Sequence, residues 1–267
     1  MKLTVIGGGN MGLTYAKGIH KAQLLNEKIS ILEKGAESIE RLKNNEPDFE
    51  ICENAKDCIT SSDIIMLAVK PFHIHDVFEN IKNLCNKNQL VISLMAGVKI
   101  STIQNGLGLN KIVRSMPNLP AMIGKGMTTF TASNDVSLEE ENMVEQLLAS
   151  TGEAIKVKTE DDIDKSTGIS GSGTAYILYF MEGLTNAAKE FGFSEEEAKV
   201  MVTQTFDGAV DLYKQSNDST STWIDRVCSK GGTTIEAINS FESNNVKDSI
   251  KKGAFAAYNR AVELGNS

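Results

Sequence analysis

The amino-acid sequence predicts an α/β protein in which a doubly wound, mostly parallel sheet is followed by an all-helical domain. As far as about residue 160, short apolar runs alternate with helical segments, a pattern typical of a parallel sheet with helices on both faces. The first run leads directly into a glycine-rich turn, and no clear strand follows residue 160. We therefore expect an α/β domain over residues 1–160 and a helical domain over residues 161–267.

Eight apolar runs predict the strands: residues 3–7, 28–33, 49–52, 64–69, 90–94, 111–116, 127–132 and 154–157. A helix over residues 138–150 is predicted because Ser137 and Glu140 form a capping-box pair at its start. The later elements expected are a long helix ending at residue 192, a helix from the Ser194/Glu197 capping box to about residue 215, a polar loop over 217–222, and helices over about 233–241 and 246–264.

Composition limits the class of protein. A net charge of −8 disfavours a nucleic-acid partner. The chain enters a strand at once, which leaves no room for a signal peptide, and no apolar run approaches the roughly 20 residues that span a bilayer. The cysteines form no Cys-x-x-Cys pair and lack a histidine at metal-ligand spacing. We expect a cytoplasmic protein with reduced thiols and no metal site, in which His20, His73 and His75 are surface or packing residues.

The turn after the first strand has the spacing Gly-x-Gly-x-x-Gly at Gly7, Gly9 and Gly12. Gly7 allows a tight turn, Gly9 lets a pyrophosphate approach the backbone, and Gly12 lets the next helix pack close to the sheet. The phosphate would then meet the free N–H groups and the positive end of that helix. Because the motif opens a β-turn-α-β unit, it favours a Rossmann-type dinucleotide site over a merely structural turn. The residues predicted to contact the cofactor here are Gly7, Gly8, Gly9, Asn10, Met11 and Gly12.

Glu33 ends the second strand, about 20 residues after the last glycine of the motif. An acid at this position accepts a hydrogen bond from the ribose 2′-hydroxyl of NAD and repels the 2′-phosphate of NADP. Lys34 follows, and either neutralises such a phosphate or is simply a solvated charge. Both residues are predicted cofactor contacts, with NADH favoured over NADPH.

Three further loops follow predicted strands at the edge of the sheet where ligands bind in open α/β folds. The first is either a cofactor contact or a strand stop with a surface lysine, and consists of Ala68, Val69, Lys70 and Pro71. The second has small residues that would let the backbone approach a flat ring: Ala96, Gly97 and Val98. In the third loop Asn118 offers amide hydrogen bonds, and Arg114 before it is a candidate for an ion pair at the strand end.

A second glycine motif precedes a predicted helix in the C-terminal half. Its paired glycines expose backbone N–H groups, and the helix start adds partial positive charge, so the turn suits a carboxylate. Thr234 adds a hydroxyl that could bind a substrate nitrogen; the alternative is a flexible turn with Thr233 as the helix cap. The residues predicted to bind substrate are Ser229, Gly231, Gly232, Thr233 and Thr234.

The long helix is opened by Ser170-Gly171-Ser172-Gly173, which provides close backbone approach, a second helix-start anion site, or a hinge. Residues 176–181 of this helix are all apolar. A helix that is apolar all round needs cover on every side, so we expect an oligomer built through the C-terminal half.

In chain order these motifs resemble those of the pyrroline-5-carboxylate reductase family, over essentially the whole chain. The matching blocks are residues 6–12, 68–71, 95–98, 116–118, 170–173 and 229–234. The last block is the most specific, because Rossmann proteins at large do not share it. The resemblance implies that NADPH or NADH reduces L-1-pyrroline-5-carboxylate to L-proline on a Rossmann domain followed by an all-helical dimerisation domain. It also implies a homodimer through the C-terminal helices, and rings of such dimers are common in the family.

The resemblance places the cofactor contacts on residues 7–12, 68–71 and 96–98, and the substrate contacts on the turn of the partner subunit that matches residues 231–234. Thr234 corresponds to the family's threonine at the ring nitrogen and is the predicted catalytic residue. Two departures matter: Lys230 stands where the family usually has proline, and Glu33-Lys34 replaces residues that favour NADP.

We expect direct hydride transfer, with the protein supplying position and charge complementarity, because no residue stands out as a general acid. One alternative is a reductase of another small cyclic imine or of a hydroxy acid, for which Lys165 or Lys189 would be the helical lysine. The other is a nucleotide-binding protein without catalysis. A panel of imines and 3-hydroxy acids separates the first alternative, and NADH binding without turnover would indicate the second.

Overall fold

The structure, a computed structural model, describes residues 1–266, and within them eight strands form a single sheet. The strands are β1 (Leu3–Ile6), β2 (Ser30–Leu32), β3 (Glu50–Cys52), β4 (Ile64–Leu67), β5 (Leu90–Ser93), β6 (Ile112–Met116), β7 (Gly126–Ala132) and β8 (Gly152–Lys156). All eight predicted strands are confirmed. Ser267, the last residue of the predicted helical domain, lies outside the described residues.

The helices are α1 (Asn10–Lys21), α2 (Ala36–Asn45), α3 (Ile74–Ile81), α4 (Ile100–Leu107), α5 (Leu138–Ala149), α6 (Glu160–Ser166), α7 (Gly173–Glu190), α8 (Glu195–Lys214), α9 (Thr220–Val227), α10 (Thr233–Ser243) and α11 (Val246–Asn266). Both predicted capping boxes are present, at Ser137 with Glu140 and at Ser194 with Glu197. No helix of the described residues combines the length and apolar character needed to cross a bilayer.

The strand order is β3-β2-β1-β4-β5-β6-β7-β8, and neighbouring strands are parallel except for β6 and β7. The first six strands thus have the Rossmann order, with a crevice where the order reverses between β1 and β4. The carboxyl ends of the central strands are in register, since Ile6 pairs with Leu32 and with Leu67, and Leu67 pairs with Ser93. The residues that follow these strands therefore meet at one edge of the sheet.

The central strands are buried on both faces because helices cover both faces. One buried cluster packs the sheet against α1 and α5, and the other packs it against α3 and α4. Burial on both sides fixes the register of these strands, and so fixes the position of the loops at their ends.

The described chain forms two compact units, residues 1–172 together with the segment from Ala256, and Gly173–Phe255. The domain boundary placed at residue 160 stays a prediction. The compact units divide later along the chain, because Arg114 of β6 forms ion pairs with Glu160 and Asp164 of α6.

The polar loop predicted over residues 217–222 is wrong, because α9 begins within it. The Ser219 hydroxyl accepts a hydrogen bond from the Thr222 N–H at 3.2 Å and caps the helix. Serine and threonine are common both in loops and at helix starts, so their clustering did not distinguish the two.

Candidate active site

Two glycines of the glycine-rich turn have no room for a side chain. Gly7 has φ +102°, and a Cβ there would lie 2.8 Å from the Ala68 carbonyl oxygen. A Cβ on Gly12 would lie 2.0 Å from the Gly7 carbonyl oxygen, because α1 starts against the turn. A Cβ on Gly9 would meet nothing within 4 Å. The turn therefore leaves open space at Gly9, on the side where a pyrophosphate is expected.

The N-terminus of α1 is free to bind an anion. Gly9 is its N-cap residue, and no side chain of the described residues caps it. The first intrahelical bond runs from the Leu13 N–H to the Gly9 carbonyl at 3.0 Å, so the N–H groups of the first turn have no intrahelical acceptor. Together with the helix dipole they favour a phosphate at this position.

Glu33 is fixed beside the glycine-rich turn by backbone N–H donors. Its Oε2 accepts from the Gly8 N–H at 2.9 Å, and its Oε1 accepts from the N–H groups of Lys34 at 2.9 Å and Gly35 at 3.3 Å. Arg41 donates to the Gly8 carbonyl at 3.3 Å. The carboxylate is half-buried and held in place, whereas Lys34 is exposed.

A cavity of about 260 Å³ lies at the carboxyl ends of β1, β2 and β4. It brings together four predicted cofactor residues: Gly7, Glu33, Lys34 and Val69. Val77 and Ile81 of α3 give it an apolar wall. His73 also lines it, although the sequence suggested only a surface or packing role; the short helical turn Pro71–His73 brings this residue to the sheet edge.

The loop after β4 ends the strand and borders the cavity, and its role as a cofactor contact stays a prediction. The Ala68 N–H donates to the Ile6 carbonyl at 2.9 Å, and the strand ends before Pro71 starts a 3₁₀ turn. Val69 faces the cavity, and Lys70 is exposed in an extended conformation.

Gly97, in the loop after β5, packs against the C-terminal helix. Gly97 has φ +74°, and a Cβ on it would lie 3.1 Å from the Leu264 Cβ, at the end of α11. The missing side chain thus admits the C-terminal helix, and the approach of a flat ring to this loop stays a prediction. Ala96 is half-buried and Val98 is buried.

Arg114 forms the ion pair expected at the end of β6. It is 1% exposed, and its two terminal nitrogens contact Glu160 at 3.2 Å and Asp164.

Asn118 is held by both ends of its amide, since its Nδ2 donates to the Ser170 carbonyl at 3.1 Å and its Oδ1 accepts from the Met127 N–H at 2.8 Å. Nδ2 keeps one further N–H for a ligand.

The segment Ser170–Gly173 leads into α7, which begins at Gly173, but the backbone before it is already helical, so the expected helix-start anion site is wrong. Residues Thr167–Gly171 form a π-helical turn, and Ser172 after it is also in the right-handed helical conformation. Gly171 packs against Met116, where a Cβ would lie 2.8 Å from the Met116 Cε. Gly171 therefore serves close packing against β6.

The turn before α10 is preformed within its own segment. Gly231 has φ +72°, and the Gly232 N–H donates to the Ser229 carbonyl at 3.0 Å, so this N–H is not free for a carboxylate. Gly232 is the N-cap of α10, and no side chain of the described residues caps the helix. Thr233 is therefore its first residue and not its cap. The open donors are those of the first helical turn, beginning at Thr233.

Thr234 lines an apolar cavity of about 420 Å³ between α8, α9 and α10. Trp223, Ile224 and Val227 of α9 form much of its wall. The Trp223 indole N–H is buried and has no hydrogen-bond partner among the described residues. This wall was not predicted, because the start of α9 lies in residues expected to form a loop. The available signal was the capping serine followed by spaced apolar residues.

The remaining titratable groups do not form a second centre in the described part of the chain. No three His, Cys, Asp or Glu side chains there are grouped to hold a metal ion. Burial raises the pKa of the Cys58 thiol to about 12, so this thiol is neutral at pH 7. Lys165, one candidate for the lysine of a hydroxy-acid dehydrogenase, is engaged by Asp161 at 2.6 Å and Asp162 at 3.1 Å.

Comparison with known protein families finds two matching models. Residues 160–264 match the family described as pyrroline-5-carboxylate reductase dimerisation. Residues 2–97 match the family described as NADP oxidoreductase coenzyme F420-dependent.

Similar proteins and structures match over the full length. The pyrroline-5-carboxylate reductase of Aquifex aeolicus is 33% identical over 94% of this chain and 92% of its own, and that of Escherichia coli K12 is 31% identical over 100% and 99%. The solved structure of a pyrroline-5-carboxylate reductase from Coxiella burnetii has a TM-score of 0.91 at 33% identity, covering 99% of this chain and 98% of that one. A pyrroline carboxylate reductase from Plasmodium falciparum, solved with NADP bound, has a TM-score of 0.88 at 29% identity, covering 99% and 98%. The chain therefore belongs to the pyrroline-5-carboxylate reductase family.

Proposed function

We propose that the protein reduces L-1-pyrroline-5-carboxylate to L-proline with NADPH or NADH, in the cytoplasm, as the last step of proline synthesis. The observation that carries the proposal is the full-length likeness, at 31–33% identity, to reductases of that name. The two uncapped helix starts, of α1 and α10, support it, since the reaction needs one site for a pyrophosphate and one for a carboxylate.

The residues present fit a dinucleotide. Gly9 leaves the space that a Cβ would fill at the start of α1, and Glu33 is held at the mouth of a cavity with an apolar wall. The residues that would hold the cofactor are residues 7–12, Glu33, Lys34, residues 68–71, residues 96–98 and Asn118. The reduced nicotinamide supplies a hydride for C5 of the imine when it is bound.

The substrate half of the mechanism rests on the turn before α10. The N–H groups that begin at Thr233 hold the carboxylate, because the Gly232 N–H is already bound to Ser229. The Gly231 and Ser229 backbone fixes the turn. The Thr234 hydroxyl orients the ring nitrogen, and the exposed Lys230 adds a positive charge near the carboxylate. The imine is electrophilic once protonated, so position contributes more than acid catalysis.

The active protein is a homodimer through the C-terminal helices, assembled further into rings of dimers. Helix α7 supports this, because in the single chain Ile177 is 53% exposed, Leu178 56% and Tyr179 79%. Apolar side chains in such a row are typical of a surface that another subunit covers. The partner subunit supplies the turn before α10 to the substrate.

The proposal is tested by steady-state oxidation of NADH and of NADPH with L-1-pyrroline-5-carboxylate. The Thr234→Ala variant should lower kcat/KM by about 10- to 1000-fold, the range for loss of an orienting donor. Thr234→Ser keeps the hydroxyl and should recover most of the activity. Thr203→Ala, on an exposed face of α8, is the matched control. Wild-type activity in Thr234→Ala would remove this residue from the mechanism, and absence of turnover in the unmodified protein would refute the function.

A further inference from the structure

Glu160 connects the first turn of α6 to the loop after β5. Its Oε1 accepts a hydrogen bond from the Ile100 N–H at 2.9 Å. Ile100 is the first residue of α4 and follows Val98 by two positions. Lys99, the N-cap residue, makes no side-chain cap to α4. The carboxylate of Glu160 therefore caps the helix on which the loop of residues 96–98 depends.

The same carboxylate is held from the opposite side by Arg114. The Arg114 Nη1 lies 3.2 Å from the Glu160 Oε1, and its Nη2 contacts Asp164. Arg114 is 1% exposed, so the negative charges of Glu160 and Asp164 neutralise its buried positive charge. Glu160 is consequently fixed between a buried cation of β6 and the backbone of α4, with little freedom to move.

Helix α6 also fixes the other side of this loop. The Tyr258 hydroxyl of α11 donates to the Asp161 Oδ1 at 2.9 Å. The last turn of α11 then packs on Gly97, where a Cβ would lie 3.1 Å from the Leu264 Cβ and 3.3 Å from its carbonyl carbon. Two neighbouring acids of α6 thus hold the loop from α4 and from α11.

We infer that Glu160 is a positioning residue for the nicotinamide half of the cofactor, acting through the Ile100 N–H and the loop of residues 96–98. In a Rossmann sheet the first three strands serve the adenosine half and the next three serve the other half. The cavity beside Glu33 is lined from β1, β2 and β4, and none of its lining residues comes from the loop after β5. Glu160 thus affects one half of the cofactor and leaves the other unchanged. The inference rests on the proposed cofactor role of residues 96–98.

The test compares binding of NADH with binding of ADP-ribose, which lacks the nicotinamide. Glu160→Ala should weaken NADH binding by about 5- to 30-fold, as expected when a charge-assisted hydrogen bond that positions a loop is lost. ADP-ribose binding should change by less than about twofold, since the Gly7–Gly9 turn and Glu33 are unaffected. Glu139→Ala, an exposed acid in the first turn of α5, is the matched control.

Two conservative variants separate positioning from stability. Glu160→Gln keeps an oxygen that reaches the Ile100 N–H but loses the charge beside Arg114. Glu160→Asp keeps the charge, but its side chain is too short to reach both the Ile100 N–H and Arg114. Positioning through Ile100 predicts that Gln binds NADH better than Asp. If Glu160 acted only through the Arg114 ion pair, the Asp variant would bind NADH better than the Gln variant. For the melting temperature, which depends on that ion pair, we expect the Asp variant to exceed the Gln variant. These two variants also serve if Glu160→Ala does not fold.

Equal loss of NADH and ADP-ribose binding, or no loss of either, would overturn the inference. So would an Asp variant that binds NADH better than the Gln variant. These measurements need no imine, so they succeed or fail independently of the proposed reaction. A protein that binds NADH as described but does not reduce the imine would refute the function and leave the role of Glu160 intact.

Discussion

The position of Glu33 predicts a preference for NADH that one substitution should weaken. Three backbone N–H donors hold the carboxylate at the end of β2, the nearest of them at 2.9 Å. Because both oxygens are engaged, the side chain cannot easily turn away to admit a 2′-phosphate. The Glu33→Gln substitution keeps the size of the side chain and one acceptor oxygen, and removes the charge together with the second acceptor.

The size of the effect follows from the repulsion that is removed. Two unit charges about 5 Å apart interact by about 3 kcal/mol at an effective dielectric constant of 20. Glu33 is half-buried and Lys34 beside it is exposed, so solvent, salt and the lysine reduce this to about 1–2 kcal/mol. The ratio of kcat/KM for NADPH to that for NADH should therefore rise by about 5- to 30-fold.

The assay measures kcat/KM for both cofactors at saturating imine, at low and high ionic strength. The discrimination of the unmodified protein should shrink as salt screens the repulsion, whereas that of Glu33→Gln should depend less on salt. Glu40→Gln, on an exposed position of α2, is the control. An unchanged ratio in Glu33→Gln, or an unmodified protein that prefers NADPH, would refute the electrostatic argument.

Two further predictions follow from the geometry. Gly12→Ala should lower the free energy of unfolding by about 2–4 kcal/mol in chemical denaturation, because its Cβ would lie 2.0 Å from the Gly7 carbonyl oxygen. Gly9→Ala should leave the free energy of unfolding within about 1 kcal/mol of that of the unmodified protein, and should weaken NADH binding by at least about tenfold in a fluorescence titration. Equal losses of stability in Gly12→Ala and Gly9→Ala would contradict this prediction. Leu178→Asp places a charge on the exposed apolar face of α7 and should shift the protein from dimer to monomer in light scattering, with Glu182→Gln as a control on the same helix. An unchanged mass would move the interface elsewhere.

The strands of the sheet were predictable because each is marked by residues that are neighbours in the sequence. Each strand is a short apolar run, and the glycine motif after β1 fixes the class of the turn. Helix α9 was missed because residues 217–222 have the composition shared by loops and helix caps. The apolar residues of this helix, including Trp223, line the cavity beside Thr234.

The sequence does not indicate which side chains of distant segments contact each other. Arg114 was a candidate for an ion pair, but Glu160 and Asp164 lie 46 and 50 residues away. The π-helical turn at Thr167–Gly171 has no local signal, since its serine carbonyl is held by the side chain of Asn118. Such contacts depend on the fold being formed, and periodicity does not encode them.

The glycines of the candidate site separate into those that the fold requires and those that only a ligand would require. Gly7 and Gly12 are each blocked by backbone atoms at 2.8 Å or less, so the fold alone explains them. Gly9 has φ −76° and ψ −173°, which any residue adopts, and open space where its side chain would be. No contact among the described residues therefore requires a glycine there, and the pyrophosphate proposed to bind at this turn would require one. The turn before α10 differs from the turn after β1. Gly231 is explained by its φ of +72°, and the proposed substrate contacts that remain open are the helix start and Thr234 rather than the paired glycines.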